Sequence, residues 1–274
     1  MNGFRSMGCE VVLPDGAPLA GVEALFRERD RRFSRFLPSP ERNRVNAVPI
    51  GLTSLSEEFA SMLCLALDAA RATGGLVTPA VGQALLGAGY DRDFDLMSSD
   101  EVAVVPVRVP SLDSLSLLGR FLLRSENVTL DLNGVVKGKT VDDAVAILGD
   151  GWLSAGGDIA TTIPVVVGLP GGDCVTLDRG GLATSSVAKL AWNGGHHLID
   201  PVTGAPSETP WRDVTVAAKS CLVADAAAKA TLLLGPAGPS WLDRRGLPGR
   251  FIAHDGDVLA NETWHQLAPA RIAA

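Results

Sequence analysis

The chain lacks several things that would have fixed its class at once. It has no CxxC pair: its four cysteines, Cys9, Cys64, Cys174 and Cys221, are widely spaced. That argues against a zinc site and for reduced, partly buried thiols. It has no excess of positive charge. A formal net charge of −7 makes it a poor candidate for nonspecific nucleic-acid binding. It has no apolar run long enough for a signal peptide or a membrane span, which points to a soluble, cytoplasmic protein without a membrane segment. No GxGxxG, no Walker A loop, no internal repeat and no linker that divides two domains can be found. Aromatics are scarce, at 5%, and Tyr90 is the only tyrosine.

What is present reads as globular. With 46% hydrophobic and 20% charged residues over 274 positions, the chain can bury a substantial core. Residues 8–13 alternate as a strand. Val22, Leu25, Phe26 and Phe33 share the spacing of a helix over residues 19–33, whose many charges would face water. Ser54-Leu55-Ser56-Glu57 has the form of a capping box before a helix with Phe59, Met62, Leu63 and Ala66 on one stripe. Pro38-Ser39-Pro40 reads as a turn.

Residues 128–132 read as a short strand. Asn133-Gly134-Val135-Val136-Lys137-Gly138-Lys139 then reads as a loop, with Thr140 capping the next helix. Strand, Gly/Lys loop and helix start together would make an anion site, because free N–H groups and the helix dipole converge there. The alternative is a solvated loop with two lysines. Gly156-Gly157-Asp158 between two strands allows close backbone approach to a ligand, or is an ordinary hairpin turn. Tyr90, directly after Gly89, either stacks on a ring or packs at the edge of the core.

The chain is organised around Gly194-Gly195-His196-His197-Leu198-Ile199-Asp200-Pro201-Val202-Thr203-Gly204. A helix capped by Ser220 follows, with one carboxylate, Asp225, on an otherwise apolar face. A buried lone carboxylate is costly, so a cation, a donor or a ligand is expected beside it.

In this order the segments resemble the ApbE family, the FAD:protein FMN transferases. The resemblance rests on Met7-Gly8, Phe33-Ser34-Arg35-Phe36 through Glu41 and Asn46, Thr78-Pro79-Ala80-Val81-Gly82 and Gly89-Tyr90-Asp91-Arg92-Asp93-Phe94. It continues through Leu130-Asp131-Leu132-Asn133-Gly134 with Lys137-Gly138, Ala155-Gly156-Gly157-Asp158-Ile159, Ala183-Thr184-Ser185, the His197 loop and Ala224-Asp225-Ala226. It implies an α/β (α+β) chain, a single compact ApbE-type domain over residues 1–274 with a central FAD-binding cleft. The implied activity moves FMN from FAD to a Ser or Thr hydroxyl of an acceptor flavoprotein and releases AMP. An FAD pyrophosphatase, or an FAD-binding protein without transferase activity, are the alternatives.

Carried over by position, Met7 and Phe36 would line the flavin site. Ala80, Val81 and Gly82 would approach FAD through their backbone, with Tyr90 nearby. Asp131 and Lys137 would contact FAD, and Ile199 would pack on it. His197 would be the catalytic base, while His196 is structural or exposed. Gly134, through its carbonyl, and Asp225 would hold magnesium. One position departs from the family: Lys229 stands where a Thr is usual, four residues after Asp225. It is either a small-value surface i,i+4 partner of Asp225 or an ammonium group in the place of the metal, touching FAD itself. The lipoprotein leader usual in the family is also missing from the sequence, which fits a cytoplasmic branch.

Overall fold

The architecture comes from a computed structural model, which describes residues 1–37, 41–97, 103–266 and 271–272. The Pro38-Ser39-Pro40 turn lies outside the described residues. Helices and sheets are mixed, and the chain separates into two compact units: Met1–Arg27, Lys137–Ala188 and Glu208–Ala274 form the first, Glu28–Val136 and Lys189–Ser207 the second.

The first unit is built on an eight-stranded antiparallel sheet in the order Asn2–Ser6, Cys9–Leu13, Trp152–Ala155, Asp158–Thr161, Gly180–Ser186, Trp211–Ala218, Gly249–Ala253 and Val258–Ala260. Two of its hairpins close with two-residue turns, Met7-Gly8 and Gly156-Gly157. Both residues of each turn have positive φ (51° and 71°, 61° and 98°). That is the twist a tight hairpin prefers. Met7 is the one described non-glycine residue with positive φ, at a cost of about 1–2 kcal/mol. The core of this unit gathers Val11, Phe26, Val141, Leu153 and Cys221.

Helix Cys221–Leu233 packs on strands Gly180–Ser186 and Trp211–Ala218. Two glycines let it come close. A Cβ on Gly181 would collide with the backbone of Cys221, and one on Gly138 would lie 2.9 Å from Leu222 Cα. Its first N–H groups, which have no partner inside the helix, are met by a local cap and by a carboxylate from another helix. Ser220 Oγ accepts from Val223 N at 3.3 Å. Asp142, one turn beyond Gly138, accepts from Cys221 N at 2.7 Å and Leu222 N at 3.0 Å. The cap at Ser220 is the one read from the sequence.

The second unit holds helix Glu57–Ala72, a three-stranded sheet of Gly51–Ser54, Leu115–Leu118 and Phe121–Arg124, and two short ribbons, Ala191–Trp192 with Gly195–His196 and Ile199–Asp200 with Ala205–Pro206. The capping box sits two residues further on than expected. Ser54 ends a strand, and Ser56 is the cap, accepting from Phe59 N at 3.1 Å. The carboxylate that answers it is Glu41, which accepts from Ser56 N at 2.8 Å. The charges of helix Leu19–Phe33 do not all face water: Arg29 and Arg32 both reach Glu58 at 3.1 Å, with side chains 14% and 21% exposed.

Residues 128–132 are not a strand. Their polar groups pair with loops and an amide instead: Val128 N with Pro49 O, Leu130 N with Asn46 Oδ1, and Asp131 N with Pro79 O. The helix after them begins at Asn133, so Thr140 is a fully buried residue inside helix Asn133–Leu148 and not its cap. The expected Gly/Lys loop is therefore helical.

Candidate functional site

In the second unit, residues far apart in sequence form one aromatic group. Tyr90 follows Gly89, whose φ of 87° ends the preceding turn. The Tyr90 ring lies 5.2 Å from Trp192 and 5.5 Å from Phe36. Trp192 is fixed by its indole N–H, which donates to Ala88 O at 3.0 Å. Ile199 is buried beside Ala84, Leu85 and Ala88, with Val81, Tyr90 and Trp192 against them. Four expected flavin-site positions, Phe36, Val81, Tyr90 and Ile199, are thus brought together. Tyr90 edges a core, with its ring tilted against those of Trp192 and Phe36.

Arg35 sits inside this group. Its guanidinium lies 3.8 Å over the Tyr90 ring and 4.8 Å from that of Phe36. Its side chain is 4% exposed, and its ion-pair partner is Asp131 Oδ2 at 3.5 Å. None of its three nitrogens has a hydrogen-bond partner, and neither has that Asp131 oxygen. The other Asp131 oxygen accepts from Asn133 N at 2.9 Å, at the start of the helix. Burial raises the pKa of the Tyr90 hydroxyl, and the Arg35 cation offsets this only in part. Buried donors without acceptors are expensive. Their convergence with Asp131 and three aromatic rings is what a planar ligand with polar edges would relieve.

Ala80 and Gly82 hold less free backbone than expected. Ala80 N donates to Thr78 Oγ1 at 3.2 Å and Gly82 N to Thr129 O at 3.1 Å. Gly82 is glycine for a packing reason: a Cβ there would lie 2.5 Å from Thr129 O.

His196 and His197 separate into two roles. The His196 ring bridges Ser207 O at 3.0 Å and Leu198 N at 3.2 Å, so it is structural. Leu198 N donates to Nδ1, which leaves the proton on Nε2 facing the Ser207 carbonyl. His197 is half-buried in the link between the two short ribbons, with its own N–H on Leu190 O at 3.3 Å.

The first unit holds a separate charged group. Lys137, in helix Asn133–Leu148, places Nζ 2.7 Å from Asp158 Oδ2, and Asp158 is fully buried. Gly156, in the turn before Asp158, would put a Cβ 3.9 Å from Lys137 Nζ and 2.9 Å from Cys9 Cβ. The Gly-Gly-Asp turn is thus a hairpin turn, packed closely against the Cys9 side chain. One helix over, Lys229 Nζ holds Asp225 Oδ1. The pair is not a surface one: the Lys229 side chain is 15% exposed and that of Asp225 3%. The cation expected beside Asp225 is therefore supplied by its own helix.

Burial alone would lower the Lys137 pKa, but the carboxylates of Asp158 and Asp225 outweigh it and hold the ammonium charged. Burial pushes the Asp158 carboxyl up, and Asp225 adds to the push, against the pull of Lys137 and Lys229. The four side chains form one network of two cations and two carboxylates. Met7 packs against the core of this unit. Gly134 lies in the first turn of helix Asn133–Leu148, where a carbonyl accepts from the N–H four residues on.

The donors of this unit fit a divalent ion poorly. One Asp225 oxygen carries an ammonium group, and Asp158 is engaged by another. No cluster of three or more His, Cys, Asp or Glu able to hold a metal occurs among the described residues. Magnesium asks for six oxygens in near-ideal geometry. No described helix is long and apolar enough to cross a membrane.

Sequence reasoning gave no role to Arg35, Trp192, Asp158 or Asp142. Asp158 carried a signal, a carboxylate following Gly-Gly. Arg35 carried none beyond a charge set between Phe33 and Phe36.

Comparison with known proteins agrees with this fold. The model of the ApbE family matches residues 7–251. Among solved structures, an ApbE protein from Thermotoga maritima superposes with a TM-score of 0.83 at 22% identity, covering 97% of each chain. A flavinyl transferase ApbE from Pseudomonas stutzeri, in its apo form, gives 0.81 at 19% identity, over 99% of this chain and 97% of the other. The flavin transferase ApbE from Vibrio cholerae gives 0.74 at 19% identity, over 97% of this chain and 98% of the other. No curated protein matches the chain significantly.

Proposed function

The chain belongs to the ApbE family, and from that premise we propose that it is a flavin transferase, moving FMN from FAD to a Ser or Thr hydroxyl of an acceptor flavoprotein and releasing AMP. The observation that carries the reading is the aromatic group of Phe36, Tyr90 and Trp192, with Ile199 and Val81 beside it and Arg35 and Asp131 at its edge. It offers a ring-binding surface with polar donors and acceptors, the two features an isoalloxazine needs.

In this reading the acceptor oxygen attacks the phosphorus that carries riboflavin. The new P–O ester forms as the bond to the AMP phosphate breaks, and AMP leaves with that electron pair. His197 takes the hydroxyl proton, a role suited to a side chain whose ordinary pKa lies near neutrality. Phosphoryl transfer otherwise requires positioning and charge neutralisation. Lys137, and Lys229 beside Asp225, are the cations of this chain for that purpose. Met7, Ala80, Gly82 and Asp131 complete the proposed FAD contacts.

The test is incubation with FAD and a candidate acceptor protein, reading AMP and covalent flavin. Transfer predicts both in equal amounts. AMP with free FMN would make the protein a pyrophosphatase. FAD binding without AMP would make it a binding protein.

A further inference from the structure

We propose that the ammonium group of Lys229 is the built-in counter-charge that a divalent cation would otherwise supply at Asp225, so that this protein binds and uses FAD without magnesium. The proposal rests on the FAD reading above and concerns how the charge of the pyrophosphate is met.

Three observations converge. First, Asp225 is committed. Its side chain is 3% exposed, and one oxygen is held by Lys229 from a turn away on the same helix. A cation that needed this carboxylate would have to displace a tethered ammonium, one that never dissociates. Second, the surroundings are already balanced. Asp158 pairs with Lys137, and the two pairs feel one another. Each of these carboxylates already faces an ammonium group, so a divalent ion would enter beside two fixed positive charges, which is costly in a buried site. Third, Lys229 has little room to leave. Its side chain is 15% exposed, and the helix beside it runs Ala226, Ala227, Ala228 and Ala230, all buried and none able to accept the charge elsewhere. The remaining Asp225 oxygen has no hydrogen-bond partner. A magnesium ion there would have this one side-chain oxygen of Asp225 and would lean on phosphates and water for its other ligands. A lysine, in contrast, is a competent point-charge partner for phosphate.

The test separates this proposal from the transferase reading by measuring metal directly. Manganese is titrated into wild-type protein, Lys229→Thr and Lys229→Met, each with and without saturating FAD, and free ion is read by electron paramagnetic resonance. The wild type is expected to bind no ion below about 1 mM, whereas Lys229→Thr, with Asp225 released, binds at least about tenfold more tightly. In parallel, FAD affinity of the wild type should be the same within about twofold in EDTA and in magnesium. Stoichiometric manganese binding by the wild type, displaced by magnesium, would overturn the proposal. So would loss of FAD binding in EDTA, or failure of both folded variants to gain a site. If a variant does not fold, the wild-type titration decides alone. If no AMP is ever released, the transferase reading fails while the metal titration still gives its answer.

Discussion

Removing either half of the Lys137–Asp158 pair should destabilise the protein strongly, and the two halves should not be equivalent. At 2.7 Å the pair is in contact, with Asp158 fully buried and the Lys137 side chain 28% exposed. With an effective dielectric near 20, the gross attraction is about 6 kcal/mol. Most of it offsets the desolvation of the two ions, so an apolar pair of similar volume should be nearly as stable. The singles differ because of Asp225. In Asp158→Ala, Lys137 keeps a carboxylate nearby, and the cost should fall near about 3 kcal/mol, the low end for a broken buried pair. In Lys137→Met, Asp158 is left buried beside Asp225, which already pushes its carboxyl up. The cost should approach about 5 kcal/mol at pH 8. The pH dependence has a definite sign. A carboxyl whose folded pKa is raised gives stability that is full below its unfolded pKa and is lost as pH rises through the folded one. Lys137→Met should therefore recover stability on going from pH 8 to pH 5.5, more than Lys137→Met/Asp158→Leu does. Urea unfolding followed by circular dichroism at both pH values gives the numbers. Single costs that add in the double mutant to within about 0.5 kcal/mol would refute the coupling, as would a Lys137→Met deficit that does not shrink in acid.

His197→Ala should lower transfer by about 10²–10⁴ while FAD affinity stays within a few-fold, the signature of a base and not of a ligand-holding group. Stopped assays of AMP release with flavin fluorescence titration distinguish the two. Glu41→Gln should cost about 1.5–3 kcal/mol at neutral pH, since the Glu41 carboxylate takes bonds from Ser56 N, Ser56 Oγ and Arg32. Burial pushes Glu41 up, but those bonds outweigh it and hold its pKa below the ordinary value. Its contribution is thus present above the usual carboxylate range and lost as pH falls, so wild type and variant should converge in acid. Cys64 and Cys174 are exposed, whereas Cys221 is buried with its thiol pushed well above the ordinary pKa, first by burial and then by Asp158. A thiol reagent should label the first two in the folded protein and Cys221 only after unfolding.

What the sequence could and could not disclose follows from the range of the forces involved. Helix Leu19–Phe33 and the start of helix Cys221–Leu233 were legible because periodicity and a Ser cap are local signals. The start of helix Asn133–Leu148 was not. Residues 128–132 look like a strand because they alternate, yet their partners are Asn46, Pro49 and Pro79. No local pattern announces an amide so distant along the chain. The cap at Ser56 was misplaced for the same reason, because the answering carboxylate is the distant Glu41. In the candidate site, Tyr90 and Ile199 could be named through family resemblance, but Arg35 could not. Its position over Tyr90 depends on tertiary packing that its neighbours in sequence do not encode.

Asp225 and Lys229 show where local rules end. Their spacing predicts a helical i,i+4 contact, and the contact is made. On a water-exposed helix such a pair is worth about a few tenths of a kcal/mol. Here the side chains are 3% and 15% exposed, and exposure, not spacing, sets the stakes. In water either partner could leave at little cost. In this network neither can, because the charge left behind would face Asp158 or Lys137 without relief. A buried ion pair is seldom the most stable way to fill a helix that is otherwise largely apolar. Its persistence on that helix argues for a demand other than stability. The chemistry proposed above supplies one, since an anionic pyrophosphate needs fixed positive charge held where water cannot screen it.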